Sequence, residues 1–218
     1  MKKVVITGAS RGIGNALVRK FLDKGWFVIG TSTSGKCSIN HKNFKCYQLD
    51  LTKNTSISKF VKTIQEEHPK IDILMNNAGI AFDLDGMQLD VDVLKKTMEV
   101  NLFGLVDLTE QLLPSIAKGG QIINTSSMMG SLSKFGGGDS PAYRISKTAV
   151  NMYTRILAAR LKDGKIRVSS VHPGWVRTDM GGKQAPMLPE EAAKHIYKLV
   201  VSDVPTGLFW FKEKRYPW

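Results

Sequence analysis

The segment Tyr143-Arg144-Ile145-Ser146-Lys147 places a phenol and an ammonium at positions i and i+4. On a helix these positions lie on one face, so both groups would reach a shared ligand. A free tyrosine titrates at about 10 and a neighbouring cation favours the phenolate, so we expect Lys147 to lower the pKa of Tyr143. Such a tyrosine can give its proton to a carbonyl oxygen while a hydride reaches the carbonyl carbon.

Three other polar residues fall where they could serve the same chemistry. Ser126 and Ser127 end the predicted strand that begins at Gln121. Asn101 lies inside a long apolar helical pattern, where asparagine has poor propensity and its amide needs a hydrogen-bond partner. That amide could bond a neighbouring backbone carbonyl, serve the site, or do both.

Short β-branched runs alternate with amphipathic helical patterns along the 218 residues. Regular alternation of this kind predicts right-handed crossovers and a parallel sheet covered on both faces. We therefore expect an α/β fold: one Rossmann-type, doubly wound, seven-stranded and mostly parallel sheet with helices on both faces, in a single domain over residues 1–218. The segment 32–43 leaves little room for a full helix. The predicted strands are 3–7, 26–31, 44–50, 71–79, 121–127, 166–174 and 207–211, and the predicted helices are 12–24, 53–67, 90–117, 141–162 and 189–202.

Gly8, Gly12 and Gly14 lie between the first predicted strand and the first predicted helix. Glycines at this point let the backbone turn sharply and let a pyrophosphate approach the positive end of the helix. The spacing is GxxxGxG rather than the GxGxxG of the usual dinucleotide fingerprint, and a tight turn without a ligand is the alternative. We expect a dinucleotide at this glycine loop.

The end of the second strand distinguishes the two nicotinamide cofactors. A carboxylate there would hold the ribose 2′-hydroxyl of NAD, but residues 30–34 are glycine, threonine and serine, and Lys36 follows. Arg11 of the glycine loop could reach the same ribose. Hydroxyl groups and cations suit a 2′-phosphate, so NADP(H) is the predicted cofactor. The alternative is a solvated Arg11 beside a polar loop.

The net charge of +12 indicates an anionic partner, such as nucleic acid, an acidic protein or a phosphorylated cofactor. The lysines are scattered and no basic block occurs, so we do not expect nucleic-acid binding. No run approaches the ~20 apolar residues that cross a bilayer, so we expect no membrane partner. Cys37 and Cys46 have no metal-binding spacing, and as plain thiols they would fit a reducing compartment, which favours a cytoplasmic protein.

Seven motifs occur in an order that resembles the short-chain dehydrogenase/reductase family over essentially the full length. Within that family the sequence is most similar to the C-factor and sniffer-type carbonyl reductases, which share the segment around Tyr143 and a C-terminal Pro-Trp. The motifs are TGASRGIG (7–14), LDLT (49–52), NNAG (76–79), EVNLFG (99–104), NTSSMMGS (124–131), YRISK (143–147) and VHPGWVRTDM (171–180).

The resemblance implies a role for each candidate residue. Tyr143 would be the catalytic acid/base, and Lys147 would lower its pKa and bind the nicotinamide ribose. Ser127, preferred over Ser126 on the family's fifth-strand ending, would hold the substrate oxygen. Asn101 would support a water relay behind the lysine. The implied cofactor-binding residues are Gly8, Ser10, Arg11, Gly12, Ile13 and Gly14 in the glycine loop, Thr31 and Ser32 after the second strand, Asp50 and Leu51 at the adenine, Asn77, Ala78 and Gly79 at the adenosine ribose, Pro173, Gly174, Val176 and Thr178 at the nicotinamide end, and Tyr143 and Lys147.

Met128, Met129, Phe135, Trp175 and Met180 flank the candidate catalytic residues. They could line an apolar, adaptable pocket, although such residues more often belong to the core. The predicted function is NADPH-dependent reduction of a small-molecule ketone or aldehyde to an alcohol, with the tyrosine as general acid. The alternative is a non-catalytic NADP-binding sensor or signalling protein of the C-factor type. The family resemblance also leaves a homo-dimer or homo-tetramer open.

Overall fold

The computed structural model describes residues 1–218, and one eight-stranded sheet runs through them with the strand order β3-β2-β1-β4-β5-β6-β7-β8. Neighbouring strands are parallel except β7 and β8, which are antiparallel. The strands are β1 (Lys3–Ile6), β2 (Phe27–Ser32), β3 (Phe44–Gln48), β4 (Ile71–Asn76), β5 (Ile116–Thr125), β6 (Arg167–Val171), β7 (Leu208–Phe211) and β8 (Lys214–Tyr216).

Helices cover both faces of this sheet. Val4 packs in a cluster with α1 and α6, whereas its neighbour Val5 packs in a second cluster with α2, α4 and α5. Successive strand residues point to opposite faces, so the apolar β1 run supplies both cores and makes a doubly wound sheet. The helices are α1 (Gly12–Asp23), α2 (Asn54–Glu67), α3 (Val91–Met98), α4 (Leu105–Leu112), α5 (Pro141–Arg160) and α6 (Pro189–Val201).

The chain winds outward in two directions from β1 and β4, which are neighbours in the sheet. This point, where the strand order reverses, opens a crevice at the carboxyl ends of the strands, and parallel sheets bind ligands there. The predicted fold class is confirmed, and the segment between β2 and β3 contains no helix, as expected.

The sheet has eight strands rather than the predicted seven, because the chain turns back after β7. Lys212 and Glu213 form this turn with φ of 47° and 61°. Tight hairpins with two positive φ values usually carry asparagine and glycine. A Lys-Glu pair gives no such signal, so the sequence did not reveal the last strand.

The single helix predicted over 90–117 is also wrong. α3 gives way to a π-helical turn over Glu99–Gly104, α4 ends at Leu112, and β5 begins at Ile116, five residues before the predicted Gln121. An inserted π turn shifts the helix face while the apolar pattern continues, so periodicity alone does not show it.

Cys37 and Cys46 form a disulfide, with their Cα atoms 6.1 Å apart. The expectation of plain thiols is therefore wrong. The segment that replaces a helix after β2 folds back along β3, which brings together two cysteines nine positions apart in sequence.

Candidate active site

The glycine loop turns between β1 and α1 on backbone that leaves no room for side chains. Gly8 has a φ of 68°, and a Cβ on it would lie 3.0 Å from Ala78 Cα. A Cβ on Gly14 would overlap the carbonyl oxygen of Gly8. Because α1 begins at Gly12, its unpaired N–H groups lie at this bare surface. The loop therefore has the shape and polarity that accept a pyrophosphate.

Thr7 holds the glycine loop against the end of β4. Its hydroxyl accepts hydrogen bonds from the backbone N–H groups of Asn77 and the next residue, each 2.9 Å, and the Asn77 side chain donates to the Thr7 carbonyl at 2.9 Å. A Cβ on Gly79 would lie 3.3 Å from Asn101 Oδ1 and 3.4 Å from Lys147 Nζ. The predicted adenosine-ribose segment thus lies between the glycine loop and the candidate catalytic residues.

Asn101 lies in the π-helical turn and is fully buried. Its amide donates to the Ile80 carbonyl at 2.8 Å and to Ser146 Oγ at 3.0 Å, and its oxygen accepts from the Ile80 N–H at 2.8 Å. The backbone tie that the sequence left open is therefore present. It joins the helical layer to the loop after β4 and to α5, and it places Asn101 beside both.

Helix α5 carries Tyr143 and Lys147 on its buried face, with 9% and 4% of each residue exposed. The Lys147 ammonium lies 5.5 Å from the centroid of the Tyr143 ring and donates to the Thr125 carbonyl at 2.9 Å. The two groups share one helix face, as their spacing predicted.

Burial dominates the titration of both groups. Loss of hydration raises the pKa of Tyr143 to about 12, against the opposing effect of a hydrogen bond with Ser127. It lowers the pKa of Lys147 to about 8. The pKa of Tyr143 therefore lies above its ordinary value of 10.0 rather than below it, because loss of hydration is the largest cause of the shift. The phenol keeps its proton at neutral pH, as a general acid requires.

The two candidate serines have different surroundings. Ser126 Oγ is buried and donates to the backbone carbonyl of Lys147 at 3.2 Å. Ser127 Oγ accepts from the Met129 N–H at 3.2 Å and lines the same cavity as Tyr143. Ser127 is thus placed to share a substrate oxygen with the phenol, while Ser126 fastens β5 to α5.

A cavity of about 360 Å³ opens beside Tyr143 and Ser127. Four of the five predicted pocket residues line it: Met128, Met129, Trp175 and Met180. The prediction for Phe135 is wrong, because its ring is 67% exposed and lies 5.6 Å from the Arg144 guanidinium. The wall near the phenol is therefore largely apolar, with hydroxyl groups on one side.

The segment after β6 forms the opposite wall and reaches the glycine loop. Pro173, Gly174, Val176 and Thr178 line the cavity together with Ile13. A Cβ on Gly12 would lie 3.2 Å from Thr178 Cγ2, so the two segments touch. Arg11 forms an exposed ion pair with Asp179 at 3.0 Å. The cation predicted for a 2′-phosphate thus has a protein partner, in an exposed pair of the kind that contributes little to stability.

The predicted adenosine-side residues lie at the ends of β2 and β3. The Thr31 carbonyl accepts from the Ala9 N–H at 2.8 Å, and the Ser32 hydroxyl donates to the Lys36 carbonyl at 2.9 Å. Asp50 accepts from the Thr52 hydroxyl and N–H, which hold its pKa below the usual range. Leu51 is buried, and Ser10 is partly exposed in the glycine loop.

Two residues of the site carried no assigned role in the sequence. His172 lines the cavity, its ring lies 4.8 Å from that of Phe211, and burial lowers its pKa to about 4, so it is neutral. Asp83 accepts from the Ala142 N–H at 2.6 Å and thereby caps α5. Ser140 precedes α5 but has a φ of 54° and makes no side-chain cap. Because Asp83 is 59 positions away from Ala142, the residues around the start of α5 do not indicate this cap.

The chain is similar to known proteins in both sequence and structure. Residues 2–189 match the family model described as short chain dehydrogenase. The chain is 29% identical to the NADPH carbonyl reductase 1 of Mus musculus, over 98% of this chain and 97% of that one. It is 34% identical to the 3-oxoacyl-(acyl-carrier-protein) reductase FabG of Vibrio harveyi, over 82% and 75%. The solved carbonyl reductase Sniffer of D. melanogaster superposes with a TM-score of 0.89 at 27% identity, and 100% of each chain is covered.

No group of three or more histidine, cysteine, aspartate or glutamate side chains is arranged to hold a metal ion. None of the helices combines the length and the apolar character that a bilayer crossing needs.

Proposed function

We propose that this chain, which belongs to the short-chain dehydrogenase family, reduces the carbonyl group of a small ketone or aldehyde to an alcohol with NADPH. The observation that carries the proposal is that Tyr143 and Ser127 line one cavity, with the Lys147 ammonium 5.5 Å from the centroid of the Tyr143 ring. This arrangement offers one proton and one hydrogen bond to a single carbonyl oxygen.

NADP(H) is the cofactor, and the residues present fit it. Side chains are excluded from the glycine loop by the carbonyl of Gly8 and by Ala78, which leaves a bare cradle for a pyrophosphate. No carboxylate ends β2, where one would select the 2′-hydroxyl of NAD. Arg11 can exchange its exposed partner Asp179 for a 2′-phosphate at small cost, because such surface pairs contribute about 0–1 kcal/mol.

When bound, the cofactor supplies a hydride to the carbonyl carbon. Tyr143 donates its phenolic proton to the carbonyl oxygen, so hydride and proton together make the alcohol. Ser127 donates a hydrogen bond to that oxygen and holds it against the phenol. Lys147 faces the Tyr143 ring with its ammonium and stabilises the phenolate that remains. Asn101 fixes the spacing between α5 and the loop after β4.

The test is to follow NADPH consumption against a panel of ketones, aldehydes and acyl thioesters. We expect turnover with ketones or aldehydes, because the cavity wall near the phenol is apolar and formed by methionine and tryptophan. Turnover with acyl thioesters alone would move the substrate class towards that of the Vibrio harveyi relative. Tight NADPH binding without turnover of any carbonyl compound would favour the alternative function, a non-catalytic NADP-binding sensor or signalling protein.

The remaining expectations are part of the same proposal. Residues 1–218 act as a single NADP(H)-binding domain in the cytoplasm, without a nucleic-acid partner. The exposed apolar side chains of α5 support a homo-dimer or homo-tetramer, because they form one stripe at helical spacing: Ile145, Met152 and Ile156. Light scattering of the purified chain measures this directly.

A further inference from the structure

We propose that the Cys37–Cys46 pair is a redox-sensitive site that sets the affinity of this chain for NADPH relative to NADH. The inference rests on the proposed cofactor, and it concerns the segment 33–43 between β2 and β3, here called the β2–β3 loop. The disulfide joins this loop to the neighbouring strand β3 at one side of the predicted 2′-phosphate site.

The β2–β3 loop lacks the helix that usually shapes a crossover, so a few contacts set its path. The Ser32 hydroxyl donates to the Lys36 carbonyl at 2.9 Å, and the Lys36 N–H donates to Ser34 Oγ at 3.3 Å. The Gln48 amide donates to the Thr33 carbonyl at 3.1 Å. These bonds lie within the first four loop residues, and the disulfide is the covalent tie that holds the following turn to β3.

The disulfide also lies close to the residues that would meet a 2′-phosphate. Cys46 pairs with Gly30 in the sheet register, two residues before the end of β2. Its sulfur lies 4.0 Å from the Ser32 hydroxyl, and Cys37 directly follows Lys36. A change at the sulfurs therefore moves the hydroxyl and the cation that favour NADPH. NADH has no 2′-phosphate and makes no use of them.

The chemistry is a two-electron exchange. A thiolate of an external dithiol attacks one sulfur and breaks the S–S bond, and the second thiolate of that dithiol releases the mixed disulfide. Cys37 and Cys46 each end with one proton, and the dithiol ends as a disulfide. The reverse reaction needs a two-electron oxidant such as a small-molecule disulfide. In a reducing compartment such a pair cycles rather than persists.

The test compares cofactor affinities in the two redox states. Protein treated with glutathione disulfide is compared with protein treated with dithiothreitol, mass spectrometry counts free thiols, and NADPH and NADH are titrated by fluorescence. We expect reduction to weaken NADPH binding by about three- to tenfold, the cost of re-ordering one or two side chains, and to change NADH binding by less than about twofold. The Cys37→Ser/Cys46→Ser variant should match the reduced protein, and the loop control Ser38→Ala should still respond to the redox state.

Three results would overturn the proposal. The first is equal NADPH affinity in both states, and the second is an equal loss for NADH, because the cross-link would then not act at the 2′-phosphate. The third is two free thiols after treatment with glutathione disulfide. Failure of the proposed function is distinguishable: NADPH would then bind weakly in both states and no carbonyl compound would be reduced, so no tight state would exist for the disulfide to control.

Discussion

Lys147 is a buried cation that does not pair with a carboxylate. Its one hydrogen bond goes to the Thr125 carbonyl, and burial lowers its pKa to about 8 from the ordinary 10.5. Burial of a charge is costly unless the charge is fully compensated. The residue therefore opposes folding at neutral pH, and the role proposed for it at Tyr143 and the cofactor would account for its presence.

The variant Lys147→Met tests this cost. Without cofactor at pH 7, we expect its free energy of unfolding to exceed that of the wild type by about 1–3 kcal/mol, because a charge is replaced by an apolar chain of similar volume. Between the folded pKa of about 8 and the unfolded 10.5, the unfolded wild type binds one more proton, so its stability rises with pH. The difference should therefore shrink by pH 10 in urea titrations. A less stable Lys147→Met at pH 7 would contradict the account.

The two serines give a matched pair of substitutions. Ser127→Ala removes a hydrogen bond to the reacting oxygen, and we expect kcat to fall on the order of 100-fold, together with a loss of about 1 kcal/mol in stability from the lost bond to the Met129 N–H. Ser126→Ala removes the buried bond to the Lys147 carbonyl, and we expect a loss of about 1 kcal/mol in stability and a far smaller change in kcat. Steady-state kinetics and urea unfolding of both variants check this. The reverse pattern would exchange their roles.

At the scale of elements, α5 depends on a cap that comes from the loop after β4. The Asp83 carboxylate accepts a hydrogen bond from the Ala142 N–H at 2.6 Å. This bond lies at the N-terminal end of α5, where the helix dipole favours a negative charge. Asp83→Asn should lower the free energy of unfolding by about 1 kcal/mol. Asp85→Asn, on an exposed neighbour, should change it by less than about 0.5 kcal/mol. An equal loss of stability in the two variants in urea unfolding would contradict the claim that Asp83 stabilises α5.

The local hydrophobic pattern predicted the bounds of most helices and strands within a few residues. It failed at the π turn and at the last strand. α1, α2, α5 and α6 follow apolar stripes at helical spacing, so their ranges were visible. The π turn contains Asn101, whose side chain makes two hydrogen bonds with Ile80, 21 positions away. The last strand depends on a turn formed by Lys212 and Glu213, whose residue types do not favour positive φ. Neither feature can be predicted from the neighbouring residues in the sequence.

The sequence allowed the candidate residues of the site to be named, but it did not allow their burial, their pKa values or their hydrogen-bond and ion-pair partners to be predicted. Its cofactor-binding segments and Ser127 follow the carboxyl ends of separate strands, which the fold class alone places together, whereas Tyr143, Lys147 and Asn101 lie on helical segments. The titration of Tyr143 depends on burial by the whole molecule, and the partner of Arg11 comes from a segment 168 positions away. For the same reason the sequence did not reveal the neutral His172 in the cavity wall.

At the scale of the whole molecule, NADPH should stabilise the fold, because its predicted site spans segments after β1, β2, β3, β4 and β6. NADPH at 100 times its dissociation constant adds about 2.7 kcal/mol, which raises the Tm of a chain this size by about 5–10 °C. NADH at the same concentration should raise it less. Thermal unfolding with each cofactor measures the difference. A larger shift with NADH would contradict the choice of cofactor.

The substitution Tyr143→Phe tests whether the phenol supplies the proton, since it removes one oxygen and keeps the ring against Lys147. With a carbonyl substrate that the wild type reduces, we measure the rate of NADPH oxidation and, separately, the affinity for NADPH by fluorescence. We predict that turnover falls by at least about 100-fold while the affinity stays within about threefold of the wild type. Full turnover in this variant would show that the proton comes from another group and would contradict the account.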